Sequence, residues 1–231
     1  MRLDKFLIKQ DGISRKQALQ QLQQACVQID GKVITQRDYQ VTDFNHIALN
    51  HKTIQNPKPA HYFMMNKPAG VLSATKDNIH KTALDLIAFS LQSELHIAGR
   101  LDRASTGLLI LTNDGRWSRT LTEPTEKIPK TYHVETVYAI SPDTADLFSR
   151  GIYFQYEKIT TSPAEMELLT ENSCLLTIYE GRYHQIKRMF AAAGNRVKSL
   201  HRCAMGKIVL DEKLKPGEYR ALTIDEIKGV G

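Results

Sequence analysis

A polar segment that carries two prolines divides the 231-residue sequence into two stretches of different character. The segment, residues 51–60, contains Pro57 and Pro59. Proline has no backbone N–H and fits poorly inside helices and central strands, so such a polar run favours a linker. We therefore expect a small domain over residues 1–50, a linker over 51–60 and a larger domain over 61–231.

The N-terminal stretch predicts two short helices followed by a hairpin. Apolar side chains recur at helical spacing in the first helix, at Leu3, Phe6 and Leu7. Ser14 followed by Gln17 is typical of a capping box at the start of a second helix. The apolar stripe of that helix is Ala18, Leu19, Leu22, Ala25 and Cys26. Asp30 and Gly31, between alternating residues, predict a tight turn that joins two strands.

Basic residues are concentrated in the same stretch. Residues 1–60 contain nine Lys or Arg against five Asp, which places +4 of the net charge of +6 there. A small basic module on a nearly neutral body suggests a polyanionic partner. A solvated basic surface gives the same count, so charge alone leaves both interpretations open.

Predicted strands dominate the stretch after residue 60. Apolar or alternating runs predict strands at 62–65, 108–112, 132–137 and 175–179, and a helix is predicted at 185–193. Helices do not alternate regularly with these strands. The pattern therefore favours an α+β protein with a mixed or antiparallel sheet.

The sequence disfavours several classes of protein. No apolar run approaches the ~20 residues of a membrane-spanning helix, and the N-terminus lacks the apolar core of a signal peptide. The three cysteines, Cys26, Cys174 and Cys203, lie far apart, so neither a disulfide framework nor a zinc site is indicated and a cytoplasmic location is expected. Motifs of zinc proteases, nucleotide-binding loops and serine hydrolases are absent.

Asp102 is a candidate catalytic carboxylate. It lies on a polar loop, residues 99–107, just before a buried predicted strand, and loops braced by a sheet often carry catalytic groups. A structural carboxylate that pairs with Arg100 or Arg103 is the alternative. Tyr132 opens another predicted strand, where it offers either core packing or a flat face and a hydroxyl for a substrate base.

A second candidate segment, residues 180–189, joins a predicted strand to the predicted helix. Gly181 is expected to let the chain bend there. Cations near a helix start, such as Lys187 and Arg188, are unfavourable without an anionic partner, so a phosphate or a carboxylate is expected nearby. A solvated basic turn, with His184 as an ordinary hydrogen-bonded residue, is the alternative.

Three of these segments resemble motifs of the RsuA/RluA-type RNA pseudouridine synthases. Residues 99–115, which read GRLDRASTGLLILTNDG, are similar to the catalytic motif of that family. Residues 130–132 (KTY) resemble its second motif and residues 180–189 (EGRYHQIKRM) its third. Residues 1–48 resemble an S4 RNA-binding domain, so the resemblance covers essentially the whole chain. This arrangement is similar to the branch of the family that acts on 16S small-subunit rRNA.

The resemblance implies an S4-like domain followed by a pseudouridine synthase domain that isomerises one uridine of 16S rRNA, uridine-516. Neither a metal nor a cofactor is implied, because the isomerisation involves no redox change and no net hydrolysis. Asp102 would be essential, either attacking a ring or sugar carbon or removing a proton at C2′. Tyr132 would pack against the uracil and help to remove the C5 proton. Lys187 would keep Asp102 ionised and oriented.

The resemblance also implies RNA-binding residues. Ile186 would line the uracil pocket, Arg100 would fill the gap left by an extruded nucleotide, and Arg182 would contact RNA. In the S4-like domain, phosphate contacts are expected from Arg2, Lys5, Arg15 and Lys16. The expected partner is 16S rRNA or a partly assembled small subunit, with the enzyme a monomer away from membranes.

The sequence departs from the family pattern at two places and leaves three other functions open. Ala104 and Ser105 stand where many relatives carry Asp or another polar residue, and Lys187 replaces the fork of an arginine with a point charge. A synthase for 23S rRNA shares the same motifs. A non-catalytic ribosome-assembly factor and a metal-dependent RNA hydrolase that uses Asp102 are the remaining alternatives.

Overall fold

The computed structural model describes residues 1–230, and the chain divides into two compact units. We call Met1–Ala60 the N-terminal unit and His61–Gly231 the C-terminal unit. Within the described residues, no helix is long and apolar enough to cross a membrane.

The N-terminal unit packs two helices against a small antiparallel sheet. Its elements are α1 (Leu3–Ile8), α2 (Arg15–Gln23), β1 (Val27–Ile29), β2 (Lys32–Val33), β3 (Ile47–Leu49) and β4 (Lys52–Gln55), with the strands in the order β2-β1-β3-β4. The predicted capping box is present: Ser14 Oγ accepts a bond from the Gln17 N–H, and the Gln17 side chain accepts one from the Ser14 N–H. Asp30 and Gly31 both have positive φ, as a two-residue hairpin turn requires.

The predicted linker over residues 51–60 is wrong in its first half. Residues 52–55 form β4, which pairs antiparallel with β3. The turn between these strands uses Asn50 and His51, whose φ values are 50° and 65°. The turn contains no glycine, so it lacks the Asn-Gly or Asp-Gly pair that would have indicated a hairpin in the sequence. Within the predicted linker, the second half, residues 56–60, contains both prolines and lacks regular structure.

The C-terminal unit is built on a mixed nine-stranded sheet. The strands are β5 (Tyr62–Lys67), β6 (His96–Ala98), β7 (Thr106–Thr112), β8 (Lys130–Thr136), β11 (Glu165–Thr170), β12 (Ser173–Ile178), β13 (Val197–Met205), β14 (Ile208–Val209) and β15 (Tyr219–Ala221). A separate pair is formed by β9 (Tyr153–Phe154) and β10 (Ile159–Thr160). Among the strands of the described residues, only β7 and β13 pair in parallel, so the predicted mixed sheet and the α+β class are confirmed.

The sheet is covered on both faces, and β7 lies in its interior, between β13 and β5. Leu109 and Leu111 belong to one apolar cluster and Leu108 and Ile110 to another, because successive side chains of a strand point to opposite faces. The helices are α3 (Phe89–Gln92), α4 (Gly115–Thr122), α5 (Thr144–Ser149), α6 (Gln185–Ala192) and α7 (Ile224–Lys228). A rigid, doubly buried strand therefore begins directly after the loop that carries Asp102.

Candidate active site

The backbone of the loop that carries Asp102 is held by hydrogen bonds from Ser73 and Lys67. Ser73 Oγ donates to the Leu101 carbonyl at 2.7 Å and accepts from the Leu101 N–H at 3.1 Å. Lys67 Nζ donates to the carbonyls of Ser105 at 2.8 Å and Arg103 at 3.3 Å. These bonds fix the backbone on both sides of Asp102.

A second buried cation holds the ends of the same loop. Arg202, on β13, donates from Nη2 to the Gly99 carbonyl at 2.7 Å and from Nε to the Leu108 carbonyl at 2.8 Å. Burial lowers the pKa of the fully buried Lys67 to about 8, although Asp102 acts in the opposite direction. Sequence reasoning missed both cations. Lys67 ends β5, beyond the apolar run that predicted this strand, so its position in the sequence gave no signal of its burial.

Asp102 pairs with residues at the start of α6. Lys187 Nζ lies 2.9 Å from Asp102 Oδ2, and His184 Nε2 lies 3.4 Å from the same oxygen. The alternative pairing with Arg103 does not form, since Arg103 Nε donates to the Gly70 carbonyl instead. The contact joins two segments that are far apart in the sequence, which spacing alone did not predict.

The cations at the start of α6 have carboxylate partners, one of the two kinds that the sequence predicted. Lys187 pairs with Asp102, and Arg188 Nη1 donates to Glu157 Oε1 at 2.7 Å. These contacts offset the unfavourable position of the cations near the helix N-terminus.

The chain turns between β12 and α6, the segment in which Gly181 was expected to allow a bend. Among the described residues, positive φ occurs in this segment at His184, with φ of 50°, and not at Gly181. His184 is the N-cap of α6, and this left-handed residue orients its imidazole next to Asp102. The turn is further held by Glu180, which accepts bonds from Gln185 Nε2 and Arg182 Nε, both at 3.0 Å.

A cleft of about 460 Å³ gathers the predicted residues of the C-terminal unit. Its lining includes Arg100, Asp102, Tyr132, Arg182, Ile186 and Lys187, together with His184. Tyr132 projects from β8 and is 7% exposed, and Ile186 is 4% exposed. The cleft thus offers a carboxylate beside an aromatic ring and an apolar wall, which suits a flat heterocycle.

The cleft is a poor site for a metal ion. One oxygen of Asp102, Oδ2, already accepts a bond from the Lys187 ammonium, and His184 Nε2 lies 3.4 Å from it. Within residues 1–230, no group of three or more His, Cys, Asp or Glu side chains is placed to hold a metal ion.

The basic residues predicted in the N-terminal unit divide into two sets. Arg2 and Arg15 line a pocket of about 520 Å³, to which Arg37 also contributes. Arg2 is paired with Asp4 at 2.6 Å. Lys5 and Lys16 are exposed but do not line that pocket, and Arg37 was missed because its loop shows no pattern. RNA contacts by these side chains stay predictions.

Comparison with known proteins supports both units. A family model for RNA pseudouridylate synthases matches residues 61–192, and an S4 domain model matches residues 1–47. The chain is 44% identical over 230 residues to the ribosomal small subunit pseudouridine synthase A of Pseudomonas aeruginosa, and 42% identical over 230 residues to that of Escherichia coli K12. Each comparison covers 100% of both chains.

A solved structure agrees with these matches. A crystal structure of a pseudouridylate synthase superposes with a TM-score of 0.74 at 39% identity, and 100% of both chains is covered. The expected synthase domain and the expected S4 domain are therefore confirmed. The chain belongs to the RNA pseudouridine synthase family and is an isomerase with an S4 domain.

Proposed function

We propose that this chain converts one uridine of 16S small-subunit rRNA, uridine-516, to pseudouridine. The observation that carries the choice of RNA is the identity of 42% and 44% to two enzymes named for the small ribosomal subunit, over the full length of each. The match extends through the S4 domain as well as the synthase domain. The cleft around Asp102 is the proposed site of the reaction.

The reaction is an isomerisation in which no atom is gained or lost. The N1–C1′ bond breaks, the uracil turns, and C5 bonds to C1′ while the C5 proton leaves and N1 takes up a proton. Asp102 starts this sequence, either by attacking a carbon or by removing the proton at C2′. Lys187, 2.9 Å away, holds the carboxylate in one orientation.

Tyr132 and Ile186 shape the pocket for the uracil. Both are almost fully buried in the cleft wall, so a ring between them is shielded from water while it is detached. The Tyr132 hydroxyl is proposed to accept the C5 proton at the end of the reaction.

The target base must leave its stack to reach this pocket, which costs a few kcal/mol. Arg100 is exposed at the mouth of the cleft and is proposed to fill the gap left by the base. Contacts between the S4 domain and phosphates contribute to the affinity that offsets this cost. We propose that the enzyme works as a monomer in the cytoplasm, on 16S rRNA or a partly assembled small subunit.

Mapping of pseudouridine in both large rRNAs tests the proposal. Purified protein is incubated with unmodified 16S rRNA, with 23S rRNA and with partly assembled small subunits, and modified positions are located by reverse-transcription stops after carbodiimide treatment. We expect one new position, uridine-516 of 16S rRNA, with the wild type and none with Asp102→Asn. Asp143→Asn is the matched control, because Asp143 is an exposed carboxylate with no side-chain capping bond.

Each other outcome rejects part of the proposal. A new position in 23S rRNA would keep the mechanism and reject the 16S substrate. Modification by Asp102→Asn would reject Asp102 as the essential group. Binding of 16S rRNA without any modification would favour the assembly-factor interpretation.

A further inference from the structure

A second groove, of about 1240 Å³, opens beside the Asp102 cleft. Asp102, Arg100, Arg182 and His184 line both spaces, so the two are continuous at the catalytic carboxylate. A uridine in the cleft remains covalently joined to its neighbours in the RNA strand. The RNA strand must therefore leave the cleft through an adjoining space. This groove is such a space, because it shares lining residues with the cleft.

One wall of the groove is an aromatic side chain that contributes little to the core. Tyr183 is 77% exposed. Its ring is stacked on the His184 ring, with centroids 3.9 Å apart and planes 20° from parallel. One face of the tyrosine is thus covered by the imidazole, and the other remains open. Because the stack already fixes the ring, a base that packs on the open face needs little further ordering of the protein.

The groove is also cationic. Arg100, Arg103 and Arg182 line it, and among residues 1–230 the Arg103 guanidinium makes no ion pair. The two acidic residues of the lining are already engaged. Asp102 pairs with Lys187, and Asp77 accepts bonds from two backbone N–H groups at 2.9 and 2.6 Å.

We propose that this groove binds the nucleotide next to the target uridine in the same RNA strand, with its base stacked on Tyr183 and its phosphate at Arg103. An open aromatic face beside an unpaired arginine is the combination that single-stranded RNA requires. The inference rests on the proposed function, because it identifies the neighbour of the modified base. It assigns Tyr183 to substrate binding and not to the chemical step.

Replacement of Tyr183 tests the stacking directly. A short single-stranded RNA that carries the target uridine and its flanking sequence is the substrate. Tyr183→Ala should raise KM roughly ten- to hundredfold, the range expected for loss of one stacked base, with kcat within about twofold. Tyr183→Phe should restore the wild-type KM, since stacking needs the ring and not the hydroxyl. Tyr156→Ala is the control, because Tyr156 is 95% exposed and lines neither space.

A substrate without the neighbouring base completes a double-mutant cycle. RNAs with an abasic residue on the 5′ or the 3′ side of the target are compared with the intact RNA. On one side, the abasic residue should raise the KM of the wild type by the same factor as Tyr183→Ala, and it should have little further effect on Tyr183→Ala. Equal sensitivity of both proteins to both abasic substrates would overturn the inference.

Other kinetic results would also contradict the stacking of a neighbouring base on Tyr183. A fall in kcat with unchanged KM would mean that Tyr183 acts through His184 on Asp102. An equal rise in KM for Tyr183→Ala and Tyr183→Phe would assign the effect to the hydroxyl of Tyr183. If wild-type protein modifies no uridine in this RNA, in 16S rRNA or in partly assembled small subunits, the proposed function fails separately. Equilibrium binding of the same RNA then decides, and an equal Kd for wild type and Tyr183→Ala would reject the stacking.

Discussion

Lys187 is the residue whose replacement separates orientation of Asp102, the proposed catalytic carboxylate, from stability of the fold. Its side chain and that of Asp102 are 35% and 30% exposed, and pairs of this kind contribute under ~1 kcal/mol to stability. Loss of orientation, in contrast, costs about 10²-fold in rate. We expect Lys187→Met to lower kcat by roughly that factor with little change in Tm, and Lys187→Arg to retain most activity. Single-turnover rates and thermal unfolding measure both effects. Lys213→Met, at an exposed position outside the cleft, is the control, and an unchanged kcat for Lys187→Met would contradict the orienting role.

Lys67 gives the stability of the molecule a specific dependence on pH. Its pKa is lowered from 10.5 to about 8 in the folded chain, chiefly by burial. Between these two values the unfolded chain holds a proton that the folded chain lacks, so stability rises with pH by up to about 1.4 kcal/mol per unit. The free energy of unfolding of the wild type, relative to Lys67→Met, should therefore rise between pH 8 and pH 10. Urea unfolding of both proteins measures the difference, and other titrating groups cancel in it. A difference that stays constant over this range would mean that the Lys67 pKa is not lowered.

At the scale of elements, the junction of β7 and β13 depends on the glycine that ends the Asp102 loop. Gly107 has a φ of 97°, and a Cβ there would lie 2.4 Å from the Arg202 carbonyl oxygen and 2.7 Å from the Arg202 nitrogen. Both atoms belong to the backbone, so the clash can be relieved only if β7 and β13 move apart. We expect Gly107→Ala to destabilise the protein by about 2–5 kcal/mol, from backbone strain and overpacking together. Gly115→Ala is the control, since its Cβ would meet nothing within 4 Å, and it should be neutral or slightly stabilising. Equal urea midpoints for the two variants would contradict this account.

The elements that the sequence predicted correctly are those whose signal is local. The capping box of Ser14 and Gln17 sets the start of α2 through two bonds within four residues. The apolar run of β7 needs only burial on both faces. The errors concern backbone whose conformation is set by contacts with neighbouring segments and not by its own residue types. Residues 52–55 become a strand because β3 lies beside them, and His184 adopts positive φ in a turn that Glu180 and Asp102 brace.

The same distinction applies to the candidate site. The motif residues that line the cleft were predicted through their resemblance to a family, and the contact between Asp102 and Lys187 is consistent with that prediction. The buried cations beneath the loop were not predicted, because Lys67 and Arg202 carry no local pattern that distinguishes them from surface residues. Their role depends on carbonyl groups that only the folded sheet brings within reach. Spacing along the chain does not contain that information.

At the scale of the whole molecule, the S4 domain should control affinity for rRNA without changing the chemical step. Arg15 lines a pocket with two other arginines, and it makes no ion pair among residues 1–230, whereas Arg2 is paired with Asp4. A phosphate contact by Arg15 releases counterions when RNA binds, so its loss should weaken affinity and lower the slope of log K against log salt by about 1. We therefore expect Arg15→Ala to raise KM for 16S rRNA, most strongly at low salt, and to leave kcat at saturating RNA within about twofold.

Lys52→Ala distinguishes a localised phosphate contact from the general effect of net charge. Lys52 is exposed on β4 of the same domain and does not line the arginine pocket, and its replacement removes the same single charge. Binding titrations from 50 to 300 mM salt, a range over which such contacts weaken by orders of magnitude, give the slope for each protein. A smaller slope for Arg15→Ala alone supports a specific contact at this pocket. Equal slopes in both variants would mean that the basic charge of the domain acts as a whole, and a fall in kcat for Arg15→Ala would show that the S4 domain also positions the RNA for the reaction at Asp102.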